Sequence, residues 1–385
     1  MTDSILLAIG ILLLLGLATN HLGRVTTLPR VTLLLLFGVV LGQDFVPVIP
    51  ESLFAGFPLI TDIALLLVGF LLGGKISIES LGGNGKAVFW LSSSVVLVTL
   101  AVVFTGLWVV GVSWGLALLL AGISTATDPA ATFDVIRESQ SDSLFSKTLL
   151  GIVAIDDAWG LIVFSMVLTI AGLATGTQDI SSALGHAIYE IGGSAVLGLA
   201  LGVPMAYLTG RIKPGEPTLV EALGVVFLCG GLASYFNVSF LLSAMVLGCT
   251  VSNLAVHHER PFHAIEDIEW PFMILFFILT GASLDIEGAS GAMGLTFAYI
   301  VFRIMGRAFS GWPGGVIAGS SRQTRQWIGF ALLPQAGVAS GMALLAGHSF
   351  PQWQQTLLSV TILSTIAFEI IGPILTRWSL SKVDE

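Results

Sequence analysis

Residues 115–137 read GLALLLAGISTATDPAATFDVIR, an apolar stretch that a short polar segment interrupts at its middle. Pro129 lacks a backbone N–H, and its ring displaces the carbonyl of Thr125 from helical hydrogen bonding. We therefore expect the helix to break here, with Asp128 as the N-cap of a second half-helix. Freed carbonyls and the hydroxyls of Thr125 and Thr127 would then face the gap. The alternative is a simple proline kink that neighbouring helices satisfy.

The composition of the whole chain places this stretch in a membrane. Of its 385 residues, 55% are hydrophobic and only 10% are charged, whereas a soluble domain carries about 25% charged residues. A bilayer core of about 30 Å requires helices of about 20 apolar residues. The apolar runs number thirteen and leave no room for a soluble domain, so we predict an all-α polytopic membrane protein with thirteen transmembrane helices. The runs lie at 4–20, 30–42, 59–73, 87–111, 115–137, 147–174, 183–209, 219–234, 238–256, 268–284, 291–319, 327–347 and 353–378.

The positions of the basic residues support this count. Cytoplasmic loops of membrane proteins hold an excess of Lys and Arg, and thirteen of the 15 basic residues lie in or at the edges of odd-numbered loops or at the end of the last run and beyond it. A single miscounted run would destroy this pattern. We therefore predict an integral protein of the inner or plasma membrane, with its N-terminus outside and its C-terminus in the cytoplasm. The thirteen residues are Arg24, Arg30, Lys75, Lys86, Arg137, Lys147, Arg211, Lys213, Arg260, Arg322, Arg325, Arg377 and Lys382.

A second break interrupts the twelfth apolar run, where LPQAG occupies 333–337 with Pro334 as its second residue. The fifth and twelfth runs are seven apart, so they cross the membrane in opposite directions. This arrangement predicts two inverted six-helix repeats joined by the seventh helix, with two discontinuous helices that cross at the centre. Opposite ends of the helix dipoles would meet there, and Asp128 could offset the positive N-terminal ends.

Two adjacent acids, Asp156 and Asp157, lie near the middle of the sixth run. They are about ten residues, or about 15 Å, from the cytoplasmic end of that run, and therefore close to the bilayer midplane. An ionisable group at this depth is costly, so the pair invites a functional hypothesis. Such a pair can bind a proton or a small hard cation, and competition between the two for one carboxylate is the elementary step of an exchanger. A purely structural buried pair is the alternative.

Three further charged residues lie at membrane depth. Arg303 and Arg307 are one helical turn apart in the eleventh run and share a face. We expect Glu369, in the thirteenth run, to form an ion pair with one of these arginines; a hydrogen bond near a helix end is the alternative. Gln335, beside the second break, either supplies an amide to the cavity or tethers the broken helix.

These residues resemble the monovalent cation:proton antiporter superfamily, and the resemblance covers nearly the whole chain. The most specific matches are the Thr-Asp-Pro break at 127–129 and the aspartate pair at 156–157; weaker ones lie at 276–284, 334–341 and 369–373. The resemblance implies a dimerisation domain and a mobile core domain that carries the ion in an elevator-like motion. The implied division is 1–85 (dimerisation helices 1–3), 86–178 (core helices 4–6), 179–215 (linker helix 7), 216–288 (dimerisation helices 8–10) and 289–385 (core helices 11–13).

The resemblance also assigns roles by position. It implies that Asp157 binds both Na+ and the proton. Asp156 resembles a position that is Asp in many electrogenic members, and Thr127 and Asp128 resemble residues that support the site at the crossing point.

The arginines mark a departure from the superfamily pattern. Arg303 or Arg307 stands about where many electrogenic members have a lysine that pairs with the first aspartate. An arginine does not give up its proton as a lysine can. The aspartate pair therefore does not fix the number of protons exchanged per cation.

The resulting prediction is a secondary transporter, not an enzyme, that works as a homodimer in membrane lipid. It would exchange Na+ or Li+, with K+ as a further candidate, for protons. We expect no cofactor, no nucleotide and no nucleic-acid partner. The alternatives are a sodium-coupled organic-anion symporter on a similar fold and a partner-gated potassium efflux protein.

One loop carries a separate, weaker signal. The ninth loop, on the cytoplasmic side, contains a group of histidines that titrate near neutrality and could sense pH. A solvated loop without such a function is the alternative. Its histidines are His257, His258 and His263, and the acids around them are Glu259, Glu266, Asp267 and Glu269.

Overall fold

Apolar helices dominate the computed structural model, and the residues that it describes contain no β-strand. The described residues are 5–26, 30–42, 49–75, 85–128, 131–132, 135–136, 139, 141, 143–174, 180–209, 218–255, 259–284, 291–335 and 337–384. The helices are α1 (Ile5–Thr26), α2 (Arg30–Leu41), α3 (Glu51–Ala55), α4 (Phe57–Lys75), α5 (Gly85–Val109), α6 (Trp114–Ile123), α7 (Leu144–Ala174), α8 (Ile180–Thr209), α9 (Thr218–Tyr235), α10 (Phe240–Leu254), α11 (Glu259–Ala282), α12 (Met293–Ala318), α13 (Arg322–Ala331), α14 (Gly337–Ser349) and α15 (Gln354–Asp384).

Several of these helices have the length and composition of membrane spans. Within the described residues, four segments are long and apolar enough to cross a membrane: Phe57–Gly74, Gly85–Val109, Ile188–Leu208 and Pro351–Val383. Further apolar helices of 10–17 residues accompany them, among them Arg30–Leu41 in α2 and Phe240–Leu254 in α10. The chain is therefore an integral membrane protein by length and hydropathy, while the number of thirteen spans stays a prediction.

Glycines allow pairs of helices to pack with their backbones in contact. Gly38 of α2 lies against the carbonyl of Ile278 in α11, and Gly281 of α11 lies against the carbonyl of Leu35 in α2. The same reciprocal contact joins α4 to α10. Small residues at helix contacts permit this close approach in membrane proteins, where apolar burial alone does not drive association. These contacts make α2 and α11 one tightly packed pair, and α4 and α10 another.

The position of α12 is fixed in the same way on two of its sides. On the α5 side, the Ser94 hydroxyl donates to the carbonyl of Ser310 at 2.6 Å and accepts from the N–H of Gly314 at 3.1 Å. On the α13 side, Gly329 lies directly against the carbonyl of Arg307. Because these contacts involve backbone atoms, α12 has little room to slide against α5 or α13.

One boundary differs from the sequence prediction. The segment around His263, which hydropathy suggested to be a loop, is the first part of α11, and that helix begins at Glu259. The helix starts with Pro261 in its first turn, a position where proline is well tolerated, and it continues through Pro271. Hydropathy marks where a helix enters lipid, whereas this helix begins well before that point. His257 and His258 lie outside the described residues.

Candidate functional site

The first break in the fold lies where α6 ends. This helix stops at Ile123, and residues up to Asp128 leave the helical path. The amides of Thr125 and Ala126 bond to carbonyls three residues back, each at 3.2 Å, so the helix ends in a tight turn. The last carbonyls of this segment therefore need hydrogen-bond donors from elsewhere, as at any helix C-terminus. Pro129 lies outside the described residues.

The second break lies between α13 and α14, and it touches the first. After α13 ends at Ala331, Leu333 closes a similar tight turn, and Pro334 and Gln335 are non-helical. The backbone N–H of Asp128 donates to the carbonyl of Pro334 at 3.0 Å. The two interrupted helices thus meet backbone to backbone at their breaks.

Arg303 joins both breaks from α12. Its side chain is fully buried. Its Nε donates to the carbonyl of Ser124 at 3.0 Å, and its Nη2 donates to the carbonyl of Ala126 at 2.8 Å. Its Nη1 donates to the carbonyl of Leu333, at the other break, at 2.7 Å. The guanidinium also lies over the ring of Phe368 in α15, with 4.3 Å between Cζ and the ring centroid. One cation therefore offsets the negative C-terminal ends of α6 and α13 together.

Arg307, one turn further along α12, links the first break to the acidic pair. Its Nη2 donates to the carbonyl of Thr125 at 2.7 Å. Its Nη1 lies 3.6 Å from Oδ2 of Asp156 in α7, and both side chains are completely buried. The side chain of Thr127 lies beside the same carboxylate. The structure thus brings Asp156, Arg307 and Thr127 together, three residues that the sequence selected on three separate helical segments.

The position of Asp157 is known only for its backbone. Asp157 follows Asp156 in α7 and is helical, but its side chain lies outside the part of the chain that the structure describes. Consecutive helical residues point about 100° apart. Its role as the ion ligand therefore stays a prediction.

Glu369 contacts a different part of the fold from the one expected. Its Oε2 accepts a hydrogen bond from the hydroxyl of Thr32 in α2 at 3.3 Å, and its neighbouring charge is Asp128. The expected ion pair between Glu369 and Arg303 or Arg307 is therefore wrong, and Glu369 bonds to Thr32 instead. The reason is geometric, since the adjacent residue on α15 faces Arg303 while Glu369 faces α2.

Gln335 lies between the second break and α12. Its side chain is fully buried, and its Nε2 donates to the hydroxyl of Tyr299 at 3.4 Å. Pro334 packs against α15, where a Cβ added to Gly372 would approach the Pro334 Cα to 2.7 Å. These contacts tether the second break to both neighbouring helices, and the Oε1 of Gln335 has no hydrogen-bond partner among the described residues.

Three residues of the site were not selected from the sequence, namely Tyr299, Thr32 and Phe368. Tyr299 precedes Arg303 and Arg307 at four-residue spacing, so a polar stripe along one face of α12 was available as a signal. Thr32 and Phe368 carry no such signal, because a threonine and a phenylalanine are ordinary residues in apolar helices.

In this arrangement Arg303 and Arg307 offset the negative ends of the broken helices and the charge of Asp156 deep in the protein. The next residue in sequence, Asp157, is a second acid. Arginines lie at the C-terminal ends of the broken helices, and acids lie near the first break. No group of three or more His, Cys, Asp or Glu side chains that could hold a metal ion occurs among the described residues.

Comparison with known proteins identifies relatives over the whole chain. The model of the transmembrane sodium/hydrogen exchanger family matches residues 9–382. The ammonium/H+ antiporter subunit AmhT of Alkalihalophilus pseudofirmus is 20% identical over 97% of this chain and 95% of its own length. The K+/H+ antiporter subunit KhtU of Bacillus subtilis is 22% identical over 82% of this chain and 77% of its own length.

A solved structure matches the fold. The sodium proton antiporter MjNhaP1 from Methanocaldococcus jannaschii at pH 8 superimposes with a TM-score of 0.82 at 18% sequence identity. The match covers 98% of each chain. At this identity the likeness establishes the fold, and it does not by itself establish which ion is transported.

Proposed function

The chain belongs to the transmembrane sodium/hydrogen exchanger family, and from this premise we propose that it exchanges a monovalent cation for protons. The observation that carries the proposal is the fully buried Asp156–Arg307 pair at the meeting point of two broken helices, with Asp157 next in sequence. Because Asp156 already has a cationic partner in Arg307, the carboxylate of Asp157 is the one that we propose for the transported ion.

In the proposed mechanism Asp157 binds either a proton or a dehydrated cation. Oxygens near Thr127 complete the coordination of the cation, and Asp128 supports the crossing. A site neutralised by either ligand can cross the apolar barrier, whereas the empty, charged site is too costly to move. This difference makes the exchange obligatory.

The two arginines favour one titrating carboxylate per cycle. Arg303 directs three donors at carbonyls, and Arg307 compensates the charge of Asp156. Because neither arginine gives up its proton, we propose that Asp156 keeps its charge and that one proton is exchanged per cation. The exchange would then carry no net charge, so clamping the membrane voltage would not alter its rate.

The cation is the finer part of the proposal. Na+ and Li+ are our first candidates, and K+ is the next. The names of AmhT and KhtU refer to ammonium and K+, so NH4+ belongs in the same assay.

From the pattern of apolar runs and the family membership we also propose an architecture of thirteen spans in two inverted six-helix repeats. The dimerisation domain would comprise 1–85 and 216–288, and the core 86–178 and 289–385, with 179–215 as the linker. The close pairs α2–α11 and α4–α10 support the first domain, and the contacts of α12 with α5 and α13 support the second. The protein would work as a homodimer in the inner or plasma membrane, with its C-terminus in the cytoplasm and an elevator-type motion of the core.

The decisive experiment is dissipation of a pH gradient in proteoliposomes by Na+, Li+, K+ and NH4+ in turn. Wild-type protein should respond to at least one of these cations, and Asp157→Asn should not. The conservative variant Glu221→Gln, in the first turn of α9, is a matched control that also removes one acidic charge. Full exchange in Asp157→Asn would overturn the mechanism. Uptake of an organic anion with Na+ and without proton movement would favour the symporter, and uncoupled ion current would favour a gated efflux protein.

A further inference from the structure

Besides that of Ser359, three buried hydroxyls of α14 and α15 have no hydrogen-bond partner among the described residues. They belong to Ser340, Thr361 and Thr365, and each of these side chains is fully buried. We call this set the hydroxyl seam. The unpartnered Oε1 of Gln335 lies at the start of α14, beside the crossing of the two breaks.

Two contacts fix the register of α14 against α15. At one end of the pair, a Cβ on Gly347 would lie 3.4 Å from the Cα of Gln354. At the other end, Gly372 packs against the backbone of Pro334. The first contact and the packing of α14 on α15 make the two helices antiparallel neighbours, and the second places the Pro334 break against α15.

The seam lies on the faces that these contacts define. Helical residues seven apart share a face, because seven residues make almost two full turns. Ser340 is seven residues before Gly347, and Thr361 is seven residues after Gln354. Thr365 is one turn further along the same face of α15. The three hydroxyl-bearing residues thus lie along the contact between the helices, in a row that leads from the Gln354 end towards Gln335.

Hydroxyls in helices normally bond to a carbonyl of their own helix. Ser364, in the same part of α15, does so with the carbonyl of Thr361 at 3.0 Å. The three seam hydroxyls do not, although a buried hydroxyl without a partner is costly. Buried polar groups of this kind are usually satisfied by ordered water when several of them lie together.

We propose that the hydroxyl seam is a hydrated passage that carries protons between the Gln354 end of the α14–α15 pair and the crossing. Hydroxyls both donate and accept hydrogen bonds, so they can hold a continuous file of water molecules. The seam itself consists of hydroxyls, and the buried carboxylate of Glu369 lies one helical turn beyond Thr365 on α15. This inference rests on the proposed exchange and adds a route by which protons reach the crossing, where they compete with the cation for the carboxylate of Asp157.

The hydration of the seam can be tested without any transport measurement. In a background of Cys229→Ala and Cys249→Ala, one variant carries Thr361→Cys and the matched control carries Val360→Cys. Both positions are completely buried in the same helix, so burial alone predicts that neither thiol reacts. We expect a small, water-soluble methanethiosulfonate reagent to label the Thr361→Cys protein at least about tenfold faster, because only a hydrated thiol ionises to the reactive thiolate. Equally slow labelling of both variants would overturn the passage.

The role in proton movement needs a second measurement. The double variant Thr361→Val with Thr365→Val keeps the side-chain shape and removes two hydroxyls, and Ser364→Ala is the control on the same helix. We expect the maximal exchange rate of the double variant to fall about tenfold, less than the 10²–10⁴-fold contribution of a positioned proton-transfer group, with an unchanged KM for the cation. A wild-type rate in the double variant would overturn the proton route.

The two arms separate this inference from the proposed function. If wild-type protein shows no cation–proton exchange, the proposed function fails, while the labelling result still decides whether the seam is hydrated. If wild-type protein exchanges ions and the seam is neither labelled nor required, only the passage fails.

Discussion

The contribution of Arg303 to the crossing leads to a quantitative prediction. Replacing it with methionine keeps a long, flexible side chain and removes three hydrogen bonds from a charged donor to carbonyls at both breaks. Each such bond contributes about 1.5–3 kcal/mol, so the three together contribute about 4.5–9 kcal/mol before any relaxation. A typical protein has about 5–15 kcal/mol of total stability. We therefore expect Arg303→Met to lose a large share of its folded population.

A second substitution separates charge from geometry. Arg303→Lys keeps the positive charge. The lysine side chain is shorter, however, and its compact ammonium lacks the planar, forked donors of a guanidinium. It can serve one or two of the three carbonyls, so we expect a loss of about 1.5–6 kcal/mol. The order of stability should be wild type, then Arg303→Lys, then Arg303→Met.

The assay is the thermal unfolding of purified protein in detergent, followed by the monodisperse fraction that remains after heating. Arg325→Lys in α13 is the matched control, since the Nε of Arg325 makes one bond to the carbonyl of Ser320 at a partly exposed position. That control should unfold close to the wild-type temperature. An Arg303→Met protein as stable as the control would refute the view that this arginine holds the two breaks together.

Three further predictions follow from neighbouring contacts. Asp156→Asn leaves the buried charge of Arg307 uncompensated and should cost about 3–5 kcal/mol, whereas adding Arg307→Gln should recover part of that loss in a double-mutant cycle of thermal stabilities. Thr32→Val removes the hydrogen bond to the Glu369 carboxylate and should cost about 1.5–3 kcal/mol in the same assay; an unchanged unfolding temperature would mean that this bond contributes nothing. Gly329→Ala adds a methyl group against the Arg307 carbonyl and should cost about 1–3 kcal/mol by overpacking, together with a slower exchange in proteoliposomes.

The breaks in the fold could be predicted because their causes are local. A proline in an apolar run removes a donor and displaces a carbonyl whatever surrounds it. The polar residues beside each proline, Thr127 and Asp128 before the first and Gln335 after the second, are visible in the same short stretches of sequence. For this reason the sequence predicted breaks near the ends of α6 and α13. It also predicted a functional role for Asp156 and Arg307, because ionisable residues at membrane depth are costly.

The partners of those charges could not be predicted, because backbone carbonyls are present at every residue. The sequence suggested acids as the partners of these arginines, namely Asp156 through the resemblance and Glu369 in the thirteenth run. In the structure most donors of Arg303 and Arg307 go to carbonyls of the broken helices instead. A helix C-terminus becomes an acceptor only when the fold places it near a donor, and that placement depends on residues nearly two hundred positions away.

The same contacts restrict how the proposed exchange can move an ion. Arg303 bonds to the end of α6 and to the end of α13, so sliding either half-helix past α12 would break hydrogen bonds worth several kcal/mol. Backbone contacts also hold α12 to α5 and to α13. A motion that carries α5, α6, α12 and α13 together breaks none of these contacts. The Thr32–Glu369 bond, by contrast, joins α15 to α2, which is packed on α11. A displacement of the crossing relative to α2 has to release this contact, whereas rearranging the crossing breaks several hydrogen bonds from charged donors, and this difference favours movement of the core as one body.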